Sequence, residues 1–97
     1  MSRFLFNGQT SDGASSVLAT PPKRPENSQR KYTVILTGEF DGATVKLQVS
    51  ADNIDYVDVP NASWTDETAV NVEMYAPYIR ADLSNSDTST DITLWIG

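Results

Sequence analysis

The chain of 97 residues contains no cysteine and no histidine. The first absence removes disulfides and thiolate zinc sites as staples. The second removes the commonest general base and the commonest metal ligand. Long apolar runs are missing as well, since no stretch approaches the roughly 20 residues needed to cross a bilayer. The start, MSRFLFNGQTSDG, has one early arginine and only Phe4-Leu5-Phe6 as an apolar core, far short of a signal peptide. The expectation is a soluble protein with no address out of the cytoplasm. On that expectation the sequon Asn61-Ala62-Ser63 is chance.

Basic charge is scarce, with 7 Lys and Arg against 13 Asp and Glu and a net charge of -6. It is also unevenly placed. Arg3, Lys23, Arg24, Arg30 and Lys31 face only Asp12 and Glu26 in the first third, whereas the remainder holds only Lys46 and Arg80 against every other acid. An acidic body repels phosphates, which argues against nucleic acid as its partner. A basic arm beside an acidic surface, its own or a neighbour's, fits better.

What is present is strand periodicity. In KYTVILTGEFDGATVKLQVS, Tyr32, Val34, Leu36 and Phe40 share one face and Thr33, Thr37 and Glu39 the other. After Asp41-Gly42 the alternation resumes with Val45, Leu47 and Val49 inward. An Asp-Gly pair between alternating runs predicts a hairpin with a type I′ turn, which needs positive φ at both central residues. Further strands are expected over residues 55–59 (Val57 and Val59 inward), 69–75 (Val70, Val72, Met74), 78–83 (Ile79, Ala81, Leu83) and 91–96 (Ile92, Leu94, Ile96). Pro60-Asn61-Ala62 is expected to end its strand, Trp64 to sit in a loop, and Ile54 to plug a turn. No segment shows helical spacing of apolar residues.

Upstream, residues 3–7 and 15–19 are weaker strand candidates, followed by TPPKRPENSQR, whose prolines deny it ladder hydrogen bonds. The resulting division is an N-terminal arm with a Pro-rich linker over residues 1–30 and an all-β domain over residues 31–97, an antiparallel β-sandwich or jelly-roll-like barrel. A body that small is marginal alone, so a homo-oligomer or docking on a larger partner is expected. The arm's apolar residues, Phe4, Leu5, Phe6, Val17 and Leu18, would then bury against another subunit, unless an early strand folds back to complete the chain's own sandwich. Deleting residues 1–30 should leave a folded but weakly associating sandwich.

Catalysis is not expected. Lys46 lies on a polar strand face, and the small scaffold offers little room for two carboxylates across a sugar cleft. No cofactor is implied. Asp52, Asn53, Asp55 and Asp58 cluster at a turn and raise the question of calcium, which wants several oxygens together. The cluster lacks the EF-hand spacing and closing glutamate, and Asp and Asn are ordinary turn residues. No metal site is therefore assigned. The outward positions say more: Ile35, Tyr56, Tyr75, Tyr78 and Trp95 all fall on non-core faces. Aromatics with a polar tip are enriched at interface cores, and they also suit sugar stacking. With Phe4, Phe6, Lys23, Arg24 and Arg30 of the arm they form the candidate partner or oligomer interface.

The stretch GEFDGATVKLQVSADNIDYVDV, then YIRADLSN, then a strand with TLWI, resembles small β-sandwich proteins from the structural gene clusters of tailed bacteriophages. Gly38, Phe40, Gly42, Ala43, Ser50, Asp52 and Arg80 occupy matching positions, while Asn53-Ile54 and Tyr56 stand where Gly and Trp commonly follow the aspartate. The resemblance covers residues 31–97 and, more loosely, the FNGQTSDG start, and implies a non-enzymatic virion component with no catalytic residues. It would be made in the host cytoplasm, with the major capsid protein or other virion proteins as partners and neither nucleic acid nor membrane. A head decoration or cement subunit leads. A tail or neck component, or a carbohydrate-binding module stacking sugars on Trp64 or Trp95, are the alternatives.

Overall fold

The computed structural model describes residues 3–19, 30–74 and 76–97. Among these residues nine strands form: β1 (Arg3–Gln9), β2 (Gly13–Ala14), β3 (Leu18–Ala19), β4 (Arg30–Glu39), β5 (Thr44–Ser50), β6 (Val57–Trp64), β7 (Thr68–Met74), β8 (Tyr78–Ser84) and β9 (Asp91–Ile96). They make two sheets in which every pairing is antiparallel. Sheet A has the order β1-β9-β4-β7, and sheet B the order β2-β8-β5-β6, with β3 also on β8. Taking β2 and β3 as one interrupted strand, eight strands are wound as in a jelly roll, two Greek keys closed face to face. The all-β sandwich read from the sequence is therefore the fold.

Alternation fills the space between the sheets. Val34, Leu36, Ile92, Leu94 and Ile96 of sheet A meet Val45, Leu47, Ile79, Ala81 and Leu83 of sheet B, and all of these are buried. A period of two puts each set on one face at no cost to the ladder.

The central hairpin is not a hairpin. Asp41 and Gly42 both adopt positive φ (48° and 86°), and the Ala43 N–H donates to the Phe40 carbonyl at 2.9 Å, as the Asp-Gly pair predicts. Yet β4 lies between β9 and β7 in sheet A, and β5 between β8 and β6 in sheet B. With both edges of β4 occupied, the turn carries the chain from one sheet to the other. Phe40 and Ala43 bury at this corner, and Thr90 Oγ1 donates to the Phe40 carbonyl at 3.1 Å while accepting the Asp87 N–H at 2.9 Å. Periodicity reports which face a residue takes, not which strand it pairs with.

The N-terminal residues also depart from the expected arm. β1 pairs along β9, and β2 and β3 pair with β8. Leu5, Phe6 and Leu18 sit in this chain's own core. A register shift between Phe4 and Phe6 turns both Leu5 and Phe6 inward, so strict alternation fails there. Residues 3–19 thus complete the sandwich rather than reaching for a neighbour.

Strand β6 continues through Pro60 to Trp64, where the sequence suggested a break. It is the edge of sheet B, where a proline costs no ladder bond. Its register slips between Lys46↔Ser63 and Gln48↔Asp58, with Asn61 at φ 64° inside the slip. Trp64 is consequently in a strand and packs against the core. Ile54 is 79% exposed and does not plug its turn, and Val57, expected inward, is 64% exposed.

Candidate functional site

The two outer faces of the sandwich differ in kind. On sheet A, the register aligns Phe4 with Trp95, Trp95 with Ile35, and Ile35 with Ala69. This apolar row crosses all four strands of the sheet. Phe4 is 53% exposed, Ile35 39%, and Trp95 is half-buried. Its neighbours on the face are small and uncharged. Thr37 pairs across from Thr93, and Thr33 Oγ1 donates to Asn71 Oδ1 at 2.9 Å. Carboxylates appear beyond them, at the Glu39↔Asp91 pair, at Glu73 across from Lys31, and at Glu67, whose Oε2 accepts the Gly38 N–H at 3.0 Å. An apolar centre inside a neutral polar ring is the anatomy of a protein interface rather than of a solvated sheet face.

Sheet B carries a paired polar network centred on Gln48. The Arg80 guanidinium stacks 3.9 Å over the Tyr56 ring, and its Nε–H donates to Gln48 Oε1 at 2.8 Å. Gln48 Nε2 then donates to Asp58 Oδ1 at 2.9 Å, and Lys46 Nζ lies 3.6 Å from Asp58 Oδ2. The Gln48 amide, with help from Lys46, holds the Asp58 carboxyl below its ordinary value. The Tyr56 hydroxyl bonds Asn53 Oδ1. Tyr78, half-buried on the same strand as Arg80, pairs across from Ser50 and Ala19.

The acidic turn is a backbone device. Ser50 Oγ accepts the N–H groups of Asp52 (3.2 Å) and Asn53 (2.9 Å) and donates to Asp52 Oδ1 (3.0 Å). Asp52 Oδ1 also accepts the N–H groups of Ile54 (2.9 Å) and Asp55 (3.1 Å). These donors, the Ile54 N–H foremost, lower the Asp52 pKa. Its carboxylate thus folds the turn, which is what Asp does in such loops. Among the described residues no three acidic side chains gather in a metal-holding group. Beside this turn an open hollow of about 400 Å³ lies between Val49, Val57, Ala76 and Pro77, with Asp55 its one carboxylate. Among the described residues it has no second group placed for acid–base work.

The candidate interface read from the sequence therefore divides. Phe4, Ile35 and Trp95 come together on sheet A, whereas Tyr56 and Tyr78 lie on the opposite side, on sheet B. Phe6 is 2% exposed and belongs to the core, so it has nothing to offer a partner. Arg30 begins β4, and Lys23, Arg24 and Tyr75 lie outside the described residues. Sequence reasoning missed Ala69 as the end of the apolar row and Gln48 as the hub of the sheet B network. Both positions become meaningful only once cross-strand register is known.

No protein family, no curated protein and no solved structure matches this chain. Among the described residues no helix is long and apolar enough to cross a membrane.

Proposed function

We propose that this chain is a non-enzymatic structural subunit of a tailed-phage particle, a head decoration protein that docks on the capsid exterior through the outer face of sheet A. The observation that carries the docking reading is the exposed Phe4–Trp95–Ile35 row ringed by neutral polar residues. A half-buried tryptophan flanked by a phenylalanine and an isoleucine is the composition of an interface hot spot. The jelly-roll winding supports the setting, because this architecture recurs in viral capsid and lectin domains, although a fold alone does not assign a role. The motif resemblance in residues 31–97 points to the same class of virion component.

The test is cosedimentation of wild-type and Trp95→Ala protein with phage heads. Trp95→Ala should weaken docking by about 2 kcal/mol or more, roughly 30-fold, with the fold unchanged by circular dichroism. Wild-type protein that travels with tails instead would assign it to the tail or neck. The exposed Phe4 and half-buried Trp95 are also aromatics of the kind that stack on sugars. Glycan-array binding lost in Trp95→Ala, without any association with heads, would replace the virion reading with a carbohydrate-binding one.

A further inference from the structure

A jelly roll leaves sheet edges whose backbone groups can pair with another chain, and natural proteins blunt such edges with bulges, proline, short strands or charge. Three of the four edges here are blunted. β1 is bent by two register shifts, with Gly8 at φ 77°. The β8 side of sheet B is covered only by the two dipeptides β2 and β3. β6 carries Pro60 and its slipped register. Among the described residues the fourth edge, β7, has no bulge, no proline and no shortening, and a single charge, Glu73. Its seven residues, TAVNVEM, pair with β4 from Thr68 to Met74 without a shift and include no Gly, Pro, Lys or Arg.

The orientation of its backbone follows from its neighbours. Thr33 and Gly97 exchange hydrogen bonds, the Thr33 N–H to the Gly97 carbonyl at 2.7 Å and the Gly97 N–H to the Thr33 carbonyl at 3.0 Å. Thr33 and Ile35 therefore direct their backbone groups to β9, and Tyr32, Val34 and Leu36 direct theirs to β7. On β7 the partners of these three, Val72, Val70 and Thr68, point toward β4. By the alternation of an antiparallel ladder, Ala69 and Asn71 point their N–H and C=O groups away from it, along the open edge.

We propose that β7 pairs antiparallel with β7 of a second copy of this chain about a two-fold axis at Asn71, joining two copies of sheet A into one continuous sheet. The strand is self-complementary in this register. Asn71 meets its own counterpart and exchanges both backbone hydrogen bonds with it. Val70 falls opposite Val72 of the second copy, so the half-buried valines on the core side cover one another. Glu73, the strand's one charge, falls opposite Ala69 and not opposite another carboxylate. Two acidic chains can therefore meet here without like charges being opposed, which a different partner would have no need to match. Shifting the two-fold axis to Ala69 would set Glu67 opposite Asn71 and leave the C-terminal end of β7 unpaired. The axis stands perpendicular to the sheet, so both apolar rows end on the same side of the dimer. Two rows held rigidly on one side can engage a surface bivalently. The pairing itself does not rest on the proposed docking function.

Sedimentation of the full chain, wild type and variants, tests it. Wild type should run at twice the 10.6 kDa chain mass. Asn71→Asp and Asn71→Lys each set identical charges face to face at the axis and should run as monomers. An equal mixture of the two should recover the dimer mass, which neither misfolding nor loss of the Thr33 contact could produce. A monomeric wild type at the highest soluble concentration overturns the proposal. So does a dimer that persists in both variants, and if that dimer dissociates with Trp95→Ala, the copies meet through the apolar row instead.

Discussion

Gly38 and Asp91 approach so closely that a Cβ on Gly38 would lie 2.0 Å from the Asp91 carbonyl oxygen. The contact is backbone on both sides, so no rotamer can relieve it. Gly38 also has φ +116°, a region that side-chain-bearing residues rarely enter. It sits where β4 nears the corner to sheet B, paired with Ile92 and donating its N–H to Glu67.

Gly38→Ala should accordingly destabilise the fold by about 3 kcal/mol or more, through backbone strain and separation of β4 from β9. Urea denaturation measures it. A loss below about 1 kcal/mol, the ordinary cost of a surface substitution with mild strain, would mean that the strands do not approach this closely. Gly42→Ala makes a useful comparison, because nothing lies within 4 Å of a Cβ there and only its φ of +86° is at stake.

The N-terminal strand sets a second expectation, opposite to that read from composition. Phe6 is 2% exposed in the core and Leu5 6%, and β1 forms a full edge of sheet A. Phe6→Ala should cost about 3–5 kcal/mol, a large part of what a domain of this size has. Deleting residues 1–9 should remove the cooperative unfolding transition altogether. A truncated chain that still melts cooperatively would restore the arm as a dispensable element.

Much of this fold is legible in the amino-acid sequence. The faces of β4, β5, β8 and β9 were legible because each alternates strictly, and alternation alone determines which side is buried. Positive φ at Asp41 and Gly42 was legible because few residue pairs accept it. The partner of β4 was not, since a chain alternates identically whether it turns back along its own sheet or crosses to the other. β1 was obscured by its bulge, which places Leu5 and Phe6 on one side and breaks the period. Of the site, Ile35 and Trp95 were recognisable as outward residues, but their adjacency, and the removal of Tyr56 and Tyr78 to the opposite face, are consequences of sheet order.

The last prediction concerns acid. Asp12, Asp52 and Asp58 all have pKa values lowered from the ordinary 3.8, by hydrogen bonds from Ser86, from the Ile54 and Asp55 backbone, and from Gln48 respectively. A folded-state pKa below the unfolded one means that the unfolded chain binds more protons between the two values. The stability these carboxylates supply is thus fully present above 3.8 and is lost as pH falls through their folded values. Relief of repulsion among the acids acts in the other direction, because the chain carries a net charge of -6. Salt separates the two effects: at 0.1 M the Debye length is about 10 Å, which screens the diffuse repulsion but not a direct N–H contact. In added salt the urea midpoint should hold steady down to 3.8 and then drop. Asp52→Asn keeps an acceptor oxygen for the Ile54 and Asp55 N–H groups but cannot titrate, so it should flatten that drop while leaving the turn intact. A midpoint that is unchanged below 3.8, or a drop equally steep in Asp52→Asn, would take the Asp52 carboxylate out of the acid response.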